Sequence, residues 1–273
     1  MGDDGSSLRH LRESAMRVFS HTCSNTEIVC ELGCADFLVG VDADSDDPPE
    51  VVSRLPKPGR DLDLDVAQVA GLAPDLVLTS LTVPGHEKVI DALHAAGLRT
   101  LVCDPLSLAD VHDDIRRIAQ ALGVSDRGEA LVQRMQAAMP PVPVTGQRPR
   151  VLVEWWPKPV IAVGRQSWVH EMIELAGGSN PWGDLPVKSQ PLEDADAAAQ
   201  APDVVVMSWC GVKVENYRAD VVRRRPHWQE VPAVVHDRIH AISEAFLGRP
   251  GPRLVEGYRQ LCEVIAAQTA QRL

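Results

Sequence analysis

His21 and Cys23 stand directly after the apolar run Arg17-Val18-Phe19-Ser20. Imidazole and thiolate both suit a cobalt or iron centre. Cys210 follows a second such run, Val204-Val205-Val206, and offers the same kind of donor. A third run, Val151-Leu152-Val153, leads into Glu154-Trp155-Trp156-Pro157-Lys158-Pro159. Two large aromatics carried into a proline-stiffened turn are better suited to wall a pocket for a flat ligand than to fill a core. All six tryptophans lie in the second half of a chain that is only 4% aromatic. Trp155, Trp156 and Trp209 each come just past a strand-like run and are expected at a ligand face. Trp168 opens the helix-like stretch beside them.

Arg165 and Arg249 offer fixed forks of donors for ligand amide or carboxylate groups. Lys158 adds an ammonium between two prolines. Phe246 shares the Ser243–Pro252 loop with Arg249, and Ser80 opens the loop after the run Leu76 to Thr79. Asp42, Asp44, Asp46 and Asp47 form an acidic loop, in which Asp44 is a candidate contact. Such a loop suits calcium or iron, or simply solvent. Plain readings compete throughout: packed tryptophans, a packed histidine, a surface salt bridge for Arg165.

Strand-like and helix-like segments alternate along the chain, the pattern of an α/β fold with mainly parallel sheets. Residues 1–16 read as a polar tail, partly helical around Leu8 to Ala15. Residues 17–105 read as an N-terminal α/β lobe, with Ser24 or Asn25 capping a helix from Thr26 to Leu32. Residues 106–148 carry apolar side chains at helical spacing, including Leu108, Val111, Ile115, Ile118 and Leu122, and read as a helical connector ended by prolines. Residues 149–273 read as a second α/β lobe. The second half repeats the first: Pro74-Asp75-Leu76-Val77 recurs as Pro202-Asp203-Val204-Val205. The expected fold is two Rossmann-like α/β lobes joined by a long rigid helix, with a ligand cleft between them at the carboxyl ends of the strands.

A net charge of -11 disfavours nucleic acid and anionic lipid as partners. No apolar run reaches membrane-spanning length. The six cysteines form no CxxC pair, and Cys23, Cys30 and Cys34 read as packed residues or as metal ligands. His170-Glu171 and His86-Glu87 open like a zinc-protease helix, but Glu174 and Ile90 stand where a second histidine is required. GxSxG and GxxxxGK are absent, so a non-enzyme is expected.

At Ser24-Asn25-Thr26-Glu27, Val39-Gly40-Val41, Asp47-Pro48-Pro49-Glu50, Ala96-Gly97, Glu174-Leu175-Ala176-Gly177-Gly178 and the two Pro-Asp strands, the chain resembles the cobalamin and iron-siderophore substrate-binding proteins of ABC transporters. The stretches at Glu154–Pro159, Ser208–Gly211 and Leu247–Arg253 resemble a cobalamin-binding subgroup. The resemblance implies a corrinoid or iron chelate as ligand, with no cofactor required. It also implies a glutamate in each lobe that meets arginines of a permease. Ala67 and Ala195 occupy those positions here, beside Asp65, Asp194 and Asp196. The aromatics that clamp the corrin in that family correspond to Asp44, Asp61 and Ser189. With no leader recognised at the amino terminus, the expectation is a cytoplasmic carrier or sensor that no longer docks. The alternatives are a periplasmic or cell-surface transporter component for cobalamin, heme or ferric siderophore, and a tetrapyrrole-modifying enzyme using His21, Cys23 or Glu154.

Overall fold

The computed structural model of the chain describes residues 16–270. The expected tail, including its helical stretch at 8–15, lies outside the described residues apart from residue 16. Two compact units account for the contacts: one runs to Asp104 and adds Ile118–Ser125, the other comprises Pro105–Arg117 and everything from Asp126. The stretch expected as a separate connector forms two helices, Leu108–Ala121 and Ser125–Ala138. Its residues are divided between the units and form no third body.

The first unit holds β1 (Val18–Ser20), β2 (Leu38–Val41), a small hairpin of β3 (Gly59–Arg60) and β4 (Asp63–Leu64), then β5 (Leu76–Ser80) and β6 (Thr100–Cys103). Its main sheet has the order β2-β1-β5-β6, and every pairing is parallel. The second unit holds β7 (Val151–Pro157), β8 (Val160–Val163), β9 (Ser189–Leu192), β10 (Val204–Met207) and β11 (Ile239–Ala241), in the order β11-β10-β7-β8-β9. Here β11, β10 and β7 pair in parallel, while β8 and β9 are antiparallel. The α/β class and the parallel cores match expectation. The antiparallel edge does not, because Lys158-Pro159 turns β7 straight back on itself.

The repeated Pro-Asp pair performs the same task in each unit. The Asp75 carboxylate accepts from the Arg17 amide at 2.8 Å, and the Asp203 carboxylate accepts from the Arg150 amide at 2.8 Å. The Asp75 and Asp203 amides donate back to the carbonyls of the same two arginines, each at 2.8 Å. The loop is thereby latched to the start of the neighbouring strand, which sets the register of β5 beside β1 and of β10 beside β7. The alanine before each proline has positive φ, 48° at Ala73 and 43° at Ala201, a conformation uncommon outside glycine. β1, β5 and β10 are buried along their whole length, as valine- and leucine-rich strands covered on both faces must be.

The expected caps are not used. The helix begins at Cys23 with Thr22 as N-cap, and Ser24 and Asn25 are buried inside its first turn. Thr22 is extended, so the chain enters the helix three residues early and carries both residues past the capping position. The loop expected at Ser243–Pro252 contains a short helix, Glu244–Leu247.

Candidate functional site

In the first unit, the strand ends close over a buried polar network. The His21 Nε2–H donates to the Asp61 carbonyl at 2.6 Å, because a carbonyl can only accept. That fixes the tautomer, and Nδ1 accepts from the Thr79 hydroxyl at 2.7 Å. Burial pushes the imidazole down to about 4, partly offset by the Asp61 hydrogen bond. No lone pair is left for a metal, which corrects the expectation of His21 as a ligand donor. The His86 ring packs edge-on against His21 at 5.3 Å. Its Nε2 lies 3.4 Å from the Asp61 carboxylate, and the hydrogen bond from His86 holds Asp61 below its ordinary range.

Ser80 is buried too, 3.1 Å from Thr82 Oγ1 and 3.4 Å from His86 Nδ1. Cys23 is half-buried in the first helical turn. In the acidic loop, Asp42 is fully buried and accepts from the Ser45 hydroxyl and the Asp44 amide. Desolvation raises its carboxyl to about 6. Asp44 reaches outward to the Arg60 guanidinium at 3.1 Å. Among the described residues, no group of three or more histidine, cysteine or carboxylate side chains is arranged to hold a metal ion.

In the second unit, the tryptophans divide. Trp168, Trp182, Trp209 and Trp228 are buried, with exposures of 7%, 5%, 5% and 0%. Trp168 Nε1 donates to the Leu247 carbonyl at 2.7 Å, and Trp228 Nε1 to the Asp194 carbonyl at 2.9 Å. These rings belong to the core, which corrects the placing of Trp168 and Trp209 at an open ligand face. Trp155 is half-buried, and Trp156 is 40% exposed at the end of β7. Those two remain available to a ligand.

The residue that organises this end is one that sequence reasoning passed over. Arg225, in the basic run Arg223-Arg224-Arg225, is buried and donates to both oxygens of buried Glu154 at 2.8 and 3.1 Å. Its guanidinium lies 4.8 Å from the centroid of the Trp228 ring. Glu154 also accepts from Trp209 Nε1 at 2.9 Å. A charge at the end of an apolar strand announces that it needs a partner. Nothing local says that the partner sits 71 residues away.

The remaining candidates are scattered. Arg165 is exposed and donates to the Gly183 carbonyl at 2.7 Å and the Asp184 carboxylate at 3.2 Å, the surface pairing that competed with a ligand role. Lys158 is exposed at the hairpin tip. Cys210 is exposed, yet desolvation and then the nearby Glu244 carboxylate push its thiol up to about 12. Phe246 lies 4.8 Å beneath the Arg253 guanidinium, and Arg249 is 3.6 Å from Glu244. Trp155, Trp156, Lys158 and Cys210 come together at the ends of β7 and β10, where the Cys210 amide donates to the Trp155 carbonyl at 3.0 Å. His21 and Ser80 come together at the ends of β1 and β5.

The two α/β units, with their parallel cores and repeated latch, define a binding-protein fold. Residues 18–245 match the periplasmic binding protein family, and the chain belongs to it. It is 28% identical over 268 residues to the uncharacterized ABC transporter substrate-binding lipoprotein YvrC of Bacillus subtilis, covering 95% of this chain and 82% of that one. It is 24% identical over 258 residues to the vitamin B12-binding protein of Yersinia pestis, covering 93% and 88%. Among solved structures, the apo periplasmic heme-binding protein RhuT of Roseiflexus sp. RS-1 superimposes with a TM-score of 0.78 at 28% identity, covering 93% of this chain and 99% of that one.

The Bacillus relative is described as an ABC transporter substrate-binding lipoprotein, and the Roseiflexus structure as a periplasmic binding protein. They overturn the expectation of a cytoplasmic carrier. That expectation leaned on Ala67 and Ala195, and neither carries the weight. Both are exposed near the starts of the helices Val66–Gly71 and Asp194–Ala199, each with carboxylates alongside. Among the described residues, no helix is long and apolar enough to cross a membrane.

Proposed function

We propose that this chain captures a planar metal chelate of the corrinoid class for an ABC transporter, working outside the cytoplasmic membrane. The observation that carries the reading is the end of β7. Trp156 is 40% exposed and Trp155 half-buried there, on a strand anchored one residue earlier by the buried Glu154–Arg225 pair. Aromatic faces held rigidly at a strand end suit a broad, flat, apolar ring system.

A corrinoid that brings its own axial ligands asks no donor of the protein, whereas heme iron is normally held by a protein side chain. His21 has both nitrogens committed, to the Asp61 carbonyl and the Thr79 hydroxyl. This favours the corrinoid. The name of the Yersinia relative supports the same reading, while that of the Roseiflexus neighbour keeps heme as the second arm of the test. Permease docking would then use carboxylates beside Ala67 and Ala195, namely Asp65, Asp194 and Asp196.

Titration with cyanocobalamin, dicyanocobinamide, hemin and a ferric hydroxamate, followed by tryptophan emission and calorimetry, tests the proposal. Saturable binding of the corrinoids, tighter than of hemin, is expected. Binding of hemin alone, or of none, overturns it.

A further inference from the structure

Asp61 and Leu62 are the two residues that turn β3 into β4, since Arg60 pairs with Asp63. A hairpin loop of that length is favoured when one or both of its residues have positive φ, and neither does here. The turn is held from outside instead. The His21 Nε2–H donates to the Asp61 carbonyl at 2.6 Å, and the His86 Nε2–H points at the Asp61 carboxylate from 3.4 Å. The other oxygen of that carboxylate accepts from the Leu62 amide at 2.8 Å. Both imidazoles are buried, at 0% and 1% exposure. Burying two polar rings costs desolvation, and what the arrangement fixes is the tip of the hairpin.

That tip is apolar. The Leu62 side chain is 51% exposed and lies over Gly85, where a Cβ would come within 3.1 Å of Leu62 Cδ2. Val83, 39% exposed, belongs to the same loop as Gly85. Among the described residues, these are the two large hydrophobic side chains of the first unit that are exposed to this extent. His21 directly follows β1 and the Val83 loop follows β5. The tip therefore stands at the carboxyl ends of the parallel strands, where α/β sheets bind their ligands. We infer that His86 and Asp61 are positioning residues for ligand binding: they hold the two-residue turn so that Leu62 meets an apolar face of the ligand. The inference rests on the proposed ligand, a broad ring system with such a face. His86 is too buried to reach a ligand, and the Asp61 carboxylate is spent on the Leu62 amide and His86. A tip without them samples several orientations of Leu62, and ordering it during binding lowers affinity.

The test is a double-mutant cycle read by calorimetric titration with dicyanocobinamide. Hydrogen exchange in β1 and β5 first establishes that each variant is folded in the first unit, which carries no tryptophan. Leu62→Ser is expected to weaken binding about five- to tenfold, the scale of covering the exposed half of one leucine. Asp61→Ala and His86→Phe, which keeps a ring beside His21, are each expected to weaken it by about three- to tenfold, the scale of ordering one side chain on binding. Asp61→Asn is expected to recover most of the Asp61→Ala loss through its amide oxygen. In the Leu62→Ser background, Asp61→Ala is expected to change nothing further, because it acts only through Leu62. Should His86→Phe not fold, the Asp61 cycle decides alone. If the wild type binds but Leu62→Ser binds equally well, or if the Asp61 and Leu62 losses add, the inference falls and the ligand class stands. A ligand-free wild type that sediments as a dimer, and that Leu62→Ser separates, means that a second copy covers the tip, which also overturns the inference. If the wild type binds no corrinoid, both fall.

Discussion

Replacing Arg225 with methionine tests the central packing claim most directly. The substitution keeps an unbranched apolar stem and removes the guanidinium. Glu154, 0% exposed, loses its bonds at 2.8 and 3.1 Å and keeps only the Trp209 indole N–H at 2.9 Å. A buried carboxylate stripped of its cation costs about 3–5 kcal/mol, with roughly 1 kcal/mol more from the lost contact with Trp228. Adding Glu154→Gln removes the uncompensated charge while retaining an acceptor for Trp209. The double variant is therefore expected to recover about half of the loss. All six tryptophans lie between positions 155 and 228, within the second unit. Their emission during urea denaturation thus reports that unit alone. A loss under about 1 kcal/mol for Arg225→Met, or a double variant less stable than the single one, refutes the reasoning.

Three further outcomes follow from the same structure. His21 falls from 6.5 to about 4 on folding and Asp42 rises from 3.8 to about 6. Between pH 6.5 and 4 the unfolded His21 takes up a proton that the folded one refuses, so acid destabilises. Between pH 6 and 3.8 the folded Asp42 takes up a proton that the unfolded one refuses, so acid stabilises; each effect reaches about 3 kcal/mol. The two largely cancel, and Asp42→Asn should expose the acid sensitivity of His21 as a steep loss of hydrogen-exchange protection in β1 and β5 below pH 6; an unchanged pH slope counts against it. Trp156→Ala should change stability by less than about 1 kcal/mol, because the ring is exposed, yet remove much of the emission change on ligand binding; full retention of that signal removes Trp156 from the site. Gly257→Ala places a Cβ against the Phe246 carbonyl oxygen, closer than van der Waals contact allows, so the helix Leu254–Ala270 must shift at a cost of about 1–3 kcal/mol; a variant melting like wild type disproves that close approach.

Much of the fold is written in local pattern. Valine-rich runs bounded by Gly, Pro and Asp mark the strands, and the repeated Pro-Asp marks the start of β5 and β10 because the same carboxylate-to-amide latch is needed twice. Apolar residues at helical spacing mark Leu108–Ala121 and Ser125–Ala138. The candidate site was less legible. Trp155 and Trp156 are placed at a strand end by the sequence because aromatics before proline are a local signal. Trp168 and Trp209 were misplaced because an indole on a helix or loop reads alike whether it faces a ligand or the core. β9 was missed because Ser189-Gln190-Pro191-Leu192 has no strand pattern and pairs only through its edge position.

Taken alone, the sequence determined which segments become strands and helices, since those choices rest on backbone sterics and on apolar periodicity within a dozen residues. Tertiary structure alone decided which polar groups are spent and which are left over. Glu154 meets Arg225 across 71 residues, and His21 surrenders its lone pair to a hydroxyl 58 residues on. Such pairings follow from how strands are ordered in a sheet, a long-range property that no local spacing encodes. They in turn leave Trp156, exposed at the end of β7, as a group with something to offer a ligand.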